Sequence, residues 1–385
     1  MNSTWNIKGM LFFFHASMTI IISYMPVYFQ YMGLSGSEIG ILLAVGPAAA
    51  IIAQPFWGFV SDKYKTVKRI MLLCLSVALA VAFLVFQLTE FILLVPVMFL
   101  FFSFQSPAGG LGESLGQKVS VEHGVSFGSI RMWGSLGFAT SSLVGGFILT
   151  NIGIWNIYYV YAAMMSVALV LTFFAPDSRP SKKPVYITGA FKLLKNKQLV
   201  AFLLFIFTIS LTHRMNDSFI GLFVVELGGN ESFIGMVWFV GVFFEAMVFM
   251  LSAYWLHRFH PLTNISIAAF LYMIRWLLMF MINDPLPLLA IQVLHGFTFG
   301  IFYLTAFQFV TRLLPEEFES TGHLLFISVF FGISGVIGSV GGGQIINYFD
   351  VQSLYLVMSV LAAIGLVSSF LYRIYYFSTN GKTAE

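Results

Sequence analysis

Charge is scarce in this 385-residue chain: Asp, Glu, Lys and Arg together make up 9% of it. A soluble domain carries roughly 25%, so a soluble globular protein is excluded, and a hydrophobic share of 59% leaves a polytopic membrane protein. Cysteine is nearly absent. The single Cys74 lies in an apolar run, so neither a disulfide framework nor a cysteine-based metal site is available, and no metal or cofactor is expected. The net charge of +3 gives no reason to expect a nucleic-acid partner. No loop is large enough for the extramembrane domain a receptor needs. No His, Cys or Asp grouping has the spacing of an enzyme's nucleophile and base. The apolar run after Lys8 is too long for a secretory h-region and has no small-residue cleavage site behind it, so it reads as the first span.

Apolar runs are what the chain has in abundance. At about twenty residues per crossing, twelve spans are expected: 10–31, 39–60, 70–89, 91–113, 129–150, 155–175, 199–223, 233–255, 264–282, 286–311, 323–346 and 352–374. The longest polar interruption, PDSRPSKKPVYITGAFKLLKNKQ, covers 176–198 and divides the chain into halves 1–175 and 199–385, with FKLL suited to a short surface helix. Lys8, Lys63, Lys65, Lys68, Arg69, Lys118, the linker bases, Arg258, Arg312, Arg373 and Lys382 all fall on one side of this map; the opposite loops carry acids but no Lys or Arg. The positive-inside rule then places both termini and the linker in the cytoplasm. An odd number of spans would destroy that asymmetry. The halves also repeat: Gly33, Ile39, Gly40, Val45 and Gly46 recur as Gly228, Ile234, Gly235, Val240 and Gly241, each 195 residues on. Parallel repeats of this kind are typical of one large transporter architecture.

Ionisable residues inside a membrane are costly unless paired or set in a wet cavity, and so mark candidate sites. Glu113 and Arg131 stand at the facing ends of the fourth and fifth runs, where a helical hairpin sets carboxylate against guanidinium. A pair that merely fixes helix register is the alternative. Glu245, Arg275 and His295 lie about 18, 16 and 14 Å into the eighth, ninth and tenth spans at 1.5 Å per residue, near the midplane of a core about 30 Å thick. His213, Arg214 and Asp217 share one face of the seventh span nearer its outer end. For that group an intrahelical ion pair and an outer gate are equally open. Trp133, next to Arg131, is the aromatic residue expected to offer a ring platform to a sugar or an arene; the many phenylalanines are expected to face lipid or pack between helices. Gly332, Gly335, Gly338 and Gly341 to Gly343 suit close helix contact in the eleventh span.

After the second span, GFVSDKYKTVKR (58–69) resembles the cytoplasmic loop signature of the major facilitator superfamily, with Lys63 at the usual arginine and Lys65 at the usual second glycine. The resemblance implies a gate at Gly58, Asp62 and Lys63, in which Gly58 permits close helix approach and Asp62 caps or pairs at a helix end. FGSIRMWGSLGF (127–138), with Glu113 eighteen residues before Arg131, and Arg275 twenty residues before His295, resemble the oligosaccharide:proton symporters of the lactose permease type. RMWGS, VGVFFEA around Glu245, IRW at Arg275 and LHGFTFG at His295 are more similar still to the phenylpropionate permease group.

The resemblance implies solute binding at Glu113 and Arg131 and proton coupling through Arg275 and His295. Where lactose permease has an acid three residues after the histidine, this chain has Thr298. Glu245 is the best substitute, with His295 as a hydrogen-bonding link and Arg275 as its switchable counter-ion. The expected protein is therefore an all-α membrane protein of twelve transmembrane helices in two six-helix pseudo-symmetric halves, the major facilitator fold. It is expected to be a monomer in the cell membrane that imports a small organic solute, an aromatic carboxylate or a sugar- or nucleoside-like molecule, by proton symport. A proton-coupled efflux antiporter and a passive facilitator are the alternatives.

Overall fold

A computed structural model describes residues 3–177, 193, 195–314 and 318–380. The expected short helix at FKLL lies almost wholly outside the described residues. Among the described residues twelve helices are long and apolar enough to cross a membrane. They are α1 (Ser3–Tyr31), α2 (Gly36–Tyr64), α3 (Val67–Val85), α4 (Phe91–Glu122), α5 (Phe127–Ile152), α6 (Ile157–Phe174), α7 (Lys197–Glu226), α8 (Glu231–Met250) and α9 (Pro261–Met281). The tenth and eleventh, α10 (Leu286–Arg312) and α11 (Gly322–Tyr348), each contain a π-helical stretch, and α12 is Val351–Asn380. The twelve follow the order read from hydropathy, but several run past the bilayer-length segment. The largest extension is in α4. The apolar run stops at Glu113, yet the helix continues through SLGQKVSVE to Glu122, leaving only 123–126 to turn the chain.

The repeat is visible in backbone geometry. Gly33 and Gly228 both take positive φ, 84° and 87°, a conformation that side chains other than glycine resist. Two residues after each glycine sits an N-cap. Ser35 accepts from the Glu38 amide and Glu38 reaches back to the Ser35 amide at 2.8 Å, while Asn230 Oδ1 accepts from the Phe233 amide at 3.0 Å. Both side chains satisfy amide donors that have no partner within their helix.

The chain groups into two compact units, one of Met1–Lys183 with Ile220–Phe239 and the other of Pro184–Phe219 with Val240–Glu385. In the first unit the α7–α8 turn region is tied to α5. A Cβ built on Gly235 would overlap the Ser142 carbonyl oxygen, one on Gly146 would lie 2.5 Å from that of Glu231, and the Thr150 and Ser232 hydroxyls meet at 2.9 Å. The spine of this unit is the α1–α5 contact. There a Cβ on Gly137 would overlap the Phe12 carbonyl oxygen. Such backbone contact is how membrane helices associate without a hydrophobic driving force. Hydroxyls of α1 and α5 then reach across it: Ser141 donates to the Ala16 carbonyl at 3.0 Å, Thr19 to that of Phe138 at 3.3 Å, and Tyr24 to that of Ser142.

The second unit uses the same device. Gly338 and Gly342 of α11 pack on Leu211, Met215 and Phe219 of α7, and Ser210 meets Ser334 at 2.8 Å. Gly296 of α10 lies against the backbone of Phe244 in α8, where a Cβ would have no room. Gly137→Ala is expected to lower stability by about 1–3 kcal/mol, the usual cost of overpacking. Gly110→Ala in α4, where a Cβ would meet nothing within 4 Å, is expected to be neutral or stabilising. Thermal unfolding of the two variants in detergent checks the difference.

Candidate functional site

The first unit brings Glu113 and Arg131 together as the hairpin reading requires. Arg131 Nε lies 2.6 Å from Glu113 Oε1, and the two side chains keep 37% and 41% of their surface exposed. That exposure leaves the pair within reach of a solute. The extension of α4 to Glu122 places Glu113 nine residues, about 14 Å at 1.5 Å per residue, inside the helix end rather than at it. The Trp133 ring packs edge-on against Trp5 at 5.6 Å and Phe12 at 6.4 Å. The side chain beside the pair that sequence reasoning passed over is His15 of α1. It lies within electrostatic reach of both Arg131 and Glu113. The signal was a lone histidine in the apolar run FFFHASM.

The second unit holds the midplane group. Gly296 and Gly300, one turn apart, seat α10 against α8, with Val248 beneath Gly300 and Gly241 beneath the His295 ring. The consequence is a 3.4 Å approach of His295 Nε2 to Glu245 Oε2. The π-helical stretch Gly296–Gly300 follows directly, a distortion often found at functional sites.

His213, Arg214 and Asp217, expected as a separate group, belong to the same assembly. The His213 ring centre is 5.6 Å from that of His295, and both face Phe299, at 4.6 and 5.9 Å. His213 Nε2 lies 3.4 Å from Asp217 Oδ2, and Tyr272 Oη lies 3.1 Å from His213 Nδ1. Arg214 donates to Asp217 at 2.7 Å, so the intrahelical pair forms. The depth estimate failed because it ordered residues along single helices, whereas the lateral packing of α7 on α10 decides which rings meet.

Arg275 corrects a second expectation. It is fully buried, yet it does not pair with Glu245. Its guanidinium donates to Gln292 Oε1 at 2.5 Å and to Thr298 Oγ1 at 3.2 Å and lies 4.5 Å from the Trp276 ring. Thr298, the residue in place of an acid, is thus a neutral acceptor for the arginine. Gln292 went unnoticed because only ionisable groups were counted in the spans.

The gate motif is also rearranged. Asp62 and Lys63 are exposed on the last turn of α2, with Lys118 of α4 in electrostatic reach of Asp62, Glu122 and Asp177. Gly58 does not hold a helix close, since a Cβ there would meet nothing within 4 Å. Capping, expected of Asp62, falls to Thr66 and Asp177: Thr66 Oγ1 accepts from the Arg69 amide at 3.3 Å and donates to Asp177 at 2.6 Å, which also accepts from the Lys68 amide at 3.1 Å. Lys65, at the usual glycine, has φ 54°, the one positive value on a non-glycine among the described residues.

A family model described as the MFS_1 like family matches residues 4–357. The chain belongs to that family. It is a transporter of the major facilitator superfamily with twelve membrane-spanning helices. It is similar to the maltose permease of Geobacillus stearothermophilus, 28% identical over 353 residues that cover 89% of this chain and 88% of the relative. It is also similar to the Escherichia coli (strain K12) protein named "Probable 3-phenylpropionic acid transporter", 24% identical over 374 residues, 94% of this chain and 95% of that one. The fold matches a crystal structure of the nucleoside transporter NupG with a TM-score of 0.85 at 17% identity, covering 98% of this chain and 99% of the other.

Gln292 generates a test of the buried arginine. Gln292→Leu leaves Arg275 short of an acceptor and is expected to cost about 2–3 kcal/mol, in the range for hydrogen bonds to charged groups. Gln292→Glu replaces the amide with a carboxylate and is expected to fold at least as well as the parent. Thermal unfolding in detergent distinguishes them.

Proposed function

We propose that this transporter imports a small organic solute across the cell membrane by proton symport, as a monomer with both termini in the cytoplasm. On this reading two six-helix halves, 1–175 and 199–385, joined by 176–198, alternate access to the solute. Glu113 and Arg131 bind it, Trp133 offers it a ring platform, and Gly58, Asp62 and Lys63 belong to the gate. The proton is carried by the group around Glu245.

The observation that carries the reading is the contact between Glu245 and His295 deep in the membrane segment. A carboxylate there is held against a titratable imidazole. The imidazole lets it be neutralised by a proton on one side and recharged on the other. Arg275, bonded to Gln292 and Thr298, then supplies a fixed positive field in place of a direct pair. His213 and Asp217 extend the titratable group across α7, so helix rearrangement can change which carboxylate an imidazole faces. The similarity to a named maltose permease and a named aromatic-acid transporter supports import of a small organic molecule.

Glu245→Gln is expected to abolish accumulation driven by a pH gradient while sparing counterflow exchange, which moves no net proton. Uptake and counterflow in proteoliposomes check it. Accumulation that persists in Glu245→Gln removes Glu245 from the coupling step. Parent uptake indifferent to the pH gradient makes the protein a facilitator.

A further inference from the structure

The Glu113–Arg131 pair by itself leaves the solute class open, because a guanidinium suits a carboxylate and a carboxylate suits hydroxyls. We propose that His15 is a specificity-determining residue of this site and selects a neutral, hydroxyl-rich solute of the sugar or nucleoside kind over an organic anion. The inference rests on the reading of Glu113 and Arg131 as the solute site.

Two glycines of α5 put His15 there. At Gly137 the helix touches the Phe12 carbonyl of α1, which fixes α1 against α5 one turn below the histidine. At Gly134 a Cβ would lie 2.8 Å from His15 Nδ1 and 3.1 Å from Arg131 Nη1. The imidazole and the guanidinium therefore both pack on Gly134, and no side chain at 134 would leave them in place together. On the other face of the arginine stands Glu113, 2.6 Å away.

The imidazole is not free to choose its role. Nδ1 lies 2.9 Å from the Leu11 carbonyl oxygen. A carbonyl only accepts, so Nδ1 carries the hydrogen, and in the neutral ring Nε2 is then an acceptor with its lone pair available. Among the described residues Nε2 has no hydrogen-bond partner, and the His15 side chain is partly exposed. These three side chains thus offer one donor group, the Arg131 guanidinium, and two acceptors, the Glu113 carboxylate and His15 Nε2.

That pattern discriminates. A carboxylate solute offers acceptors alone. It could bond Arg131, but its oxygens would face the lone pair of Nε2 and the negative charge of Glu113, and it would compete with Glu113 for the one cation. A hydroxyl both donates and accepts. Neighbouring hydroxyls of a sugar or ribose ring can donate to Glu113 and to Nε2 while accepting from Arg131. A site built to hydrogen-bond hydroxyls rejects solutes that leave those groups unmatched.

The test is equilibrium binding to the purified full-length transporter in detergent, with hexoses, disaccharides and nucleosides as one probe set and 3-phenylpropionate as the other. At least one hydroxyl-rich probe is expected to bind. Its affinity should fall tenfold or more in Arg131→Gln and in His15→Phe, which keeps a ring but removes the acceptor. His15→Gln, which restores an acceptor near the Nε2 position, should recover part of the loss. Size-exclusion profiles and thermal unfolding of each variant separate lost folding from lost binding, and His15→Gln keeps the test decisive if His15→Phe does not fold. If no hydroxyl-rich probe binds, or if the His15 variants fold and bind it within twofold of the parent, the inference is overturned. Binding of 3-phenylpropionate alone, lost in Arg131→Gln and indifferent to His15, would overturn the inference and leave the solute site standing. Binding indifferent to Arg131 would overturn the site itself.

Discussion

Backbone contact at glycine sets the polar distances in this protein. Where Gly137 meets the Phe12 carbonyl, α1 and α5 approach closely enough for His15 to stand beside Arg131. Where Gly296 meets the backbone of Phe244, α8 and α10 approach closely enough for Glu245 to reach His295. A methyl group at either glycine would force the helices apart and open gaps wider than a hydrogen bond. In a medium that offers no water, such gaps would strand the very groups the site needs. The glycines are thus part of the site although none of them carries chemistry.

The two units answer the cost of intramembrane charge differently. In the first, an acid and a base face each other in a pair that keeps over a third of its surface, so solvent or solute can enter the exchange. In the second, Arg275 donates to an amide oxygen and a hydroxyl, and its Nε is buried with no hydrogen-bond partner among the described residues. Glu245 and Asp217 each face an imidazole, and Arg214 also pairs with Asp217. A pair suited to binding and a group suited to titration follow from those choices of partner.

The fold was legible almost completely in the sequence, because twelve apolar runs, one-sided lysine and arginine, and a 195-residue repeat all constrain the same layout. The Glu113–Arg131 pair was legible as well, since two helices joined by a short turn run antiparallel side by side and set these residues opposite each other. The partners of Arg275 were not. They depend on how α9 lies beside α10, and Gln292 carries no charge to draw the eye. The union of His213 with His295 was hidden for a related reason: position along a helix gives depth, but rotation about the axis comes from packing. His15 was within reach of the method, as a polar ring in a run of phenylalanines. Lys65 shows the opposite case, where the motif marked a glycine position and the backbone kept the glycine conformation without the glycine.

Proton movement with the solute is the central claim, and it can be read directly. Solute added to one side of lightly buffered proteoliposomes containing the transporter should draw protons inward with it, so that the outer medium turns alkaline in step with solute influx and the signal disappears when a protonophore is present. Solute influx with no accompanying change in outer pH, or with acidification of the outer medium, would contradict the account.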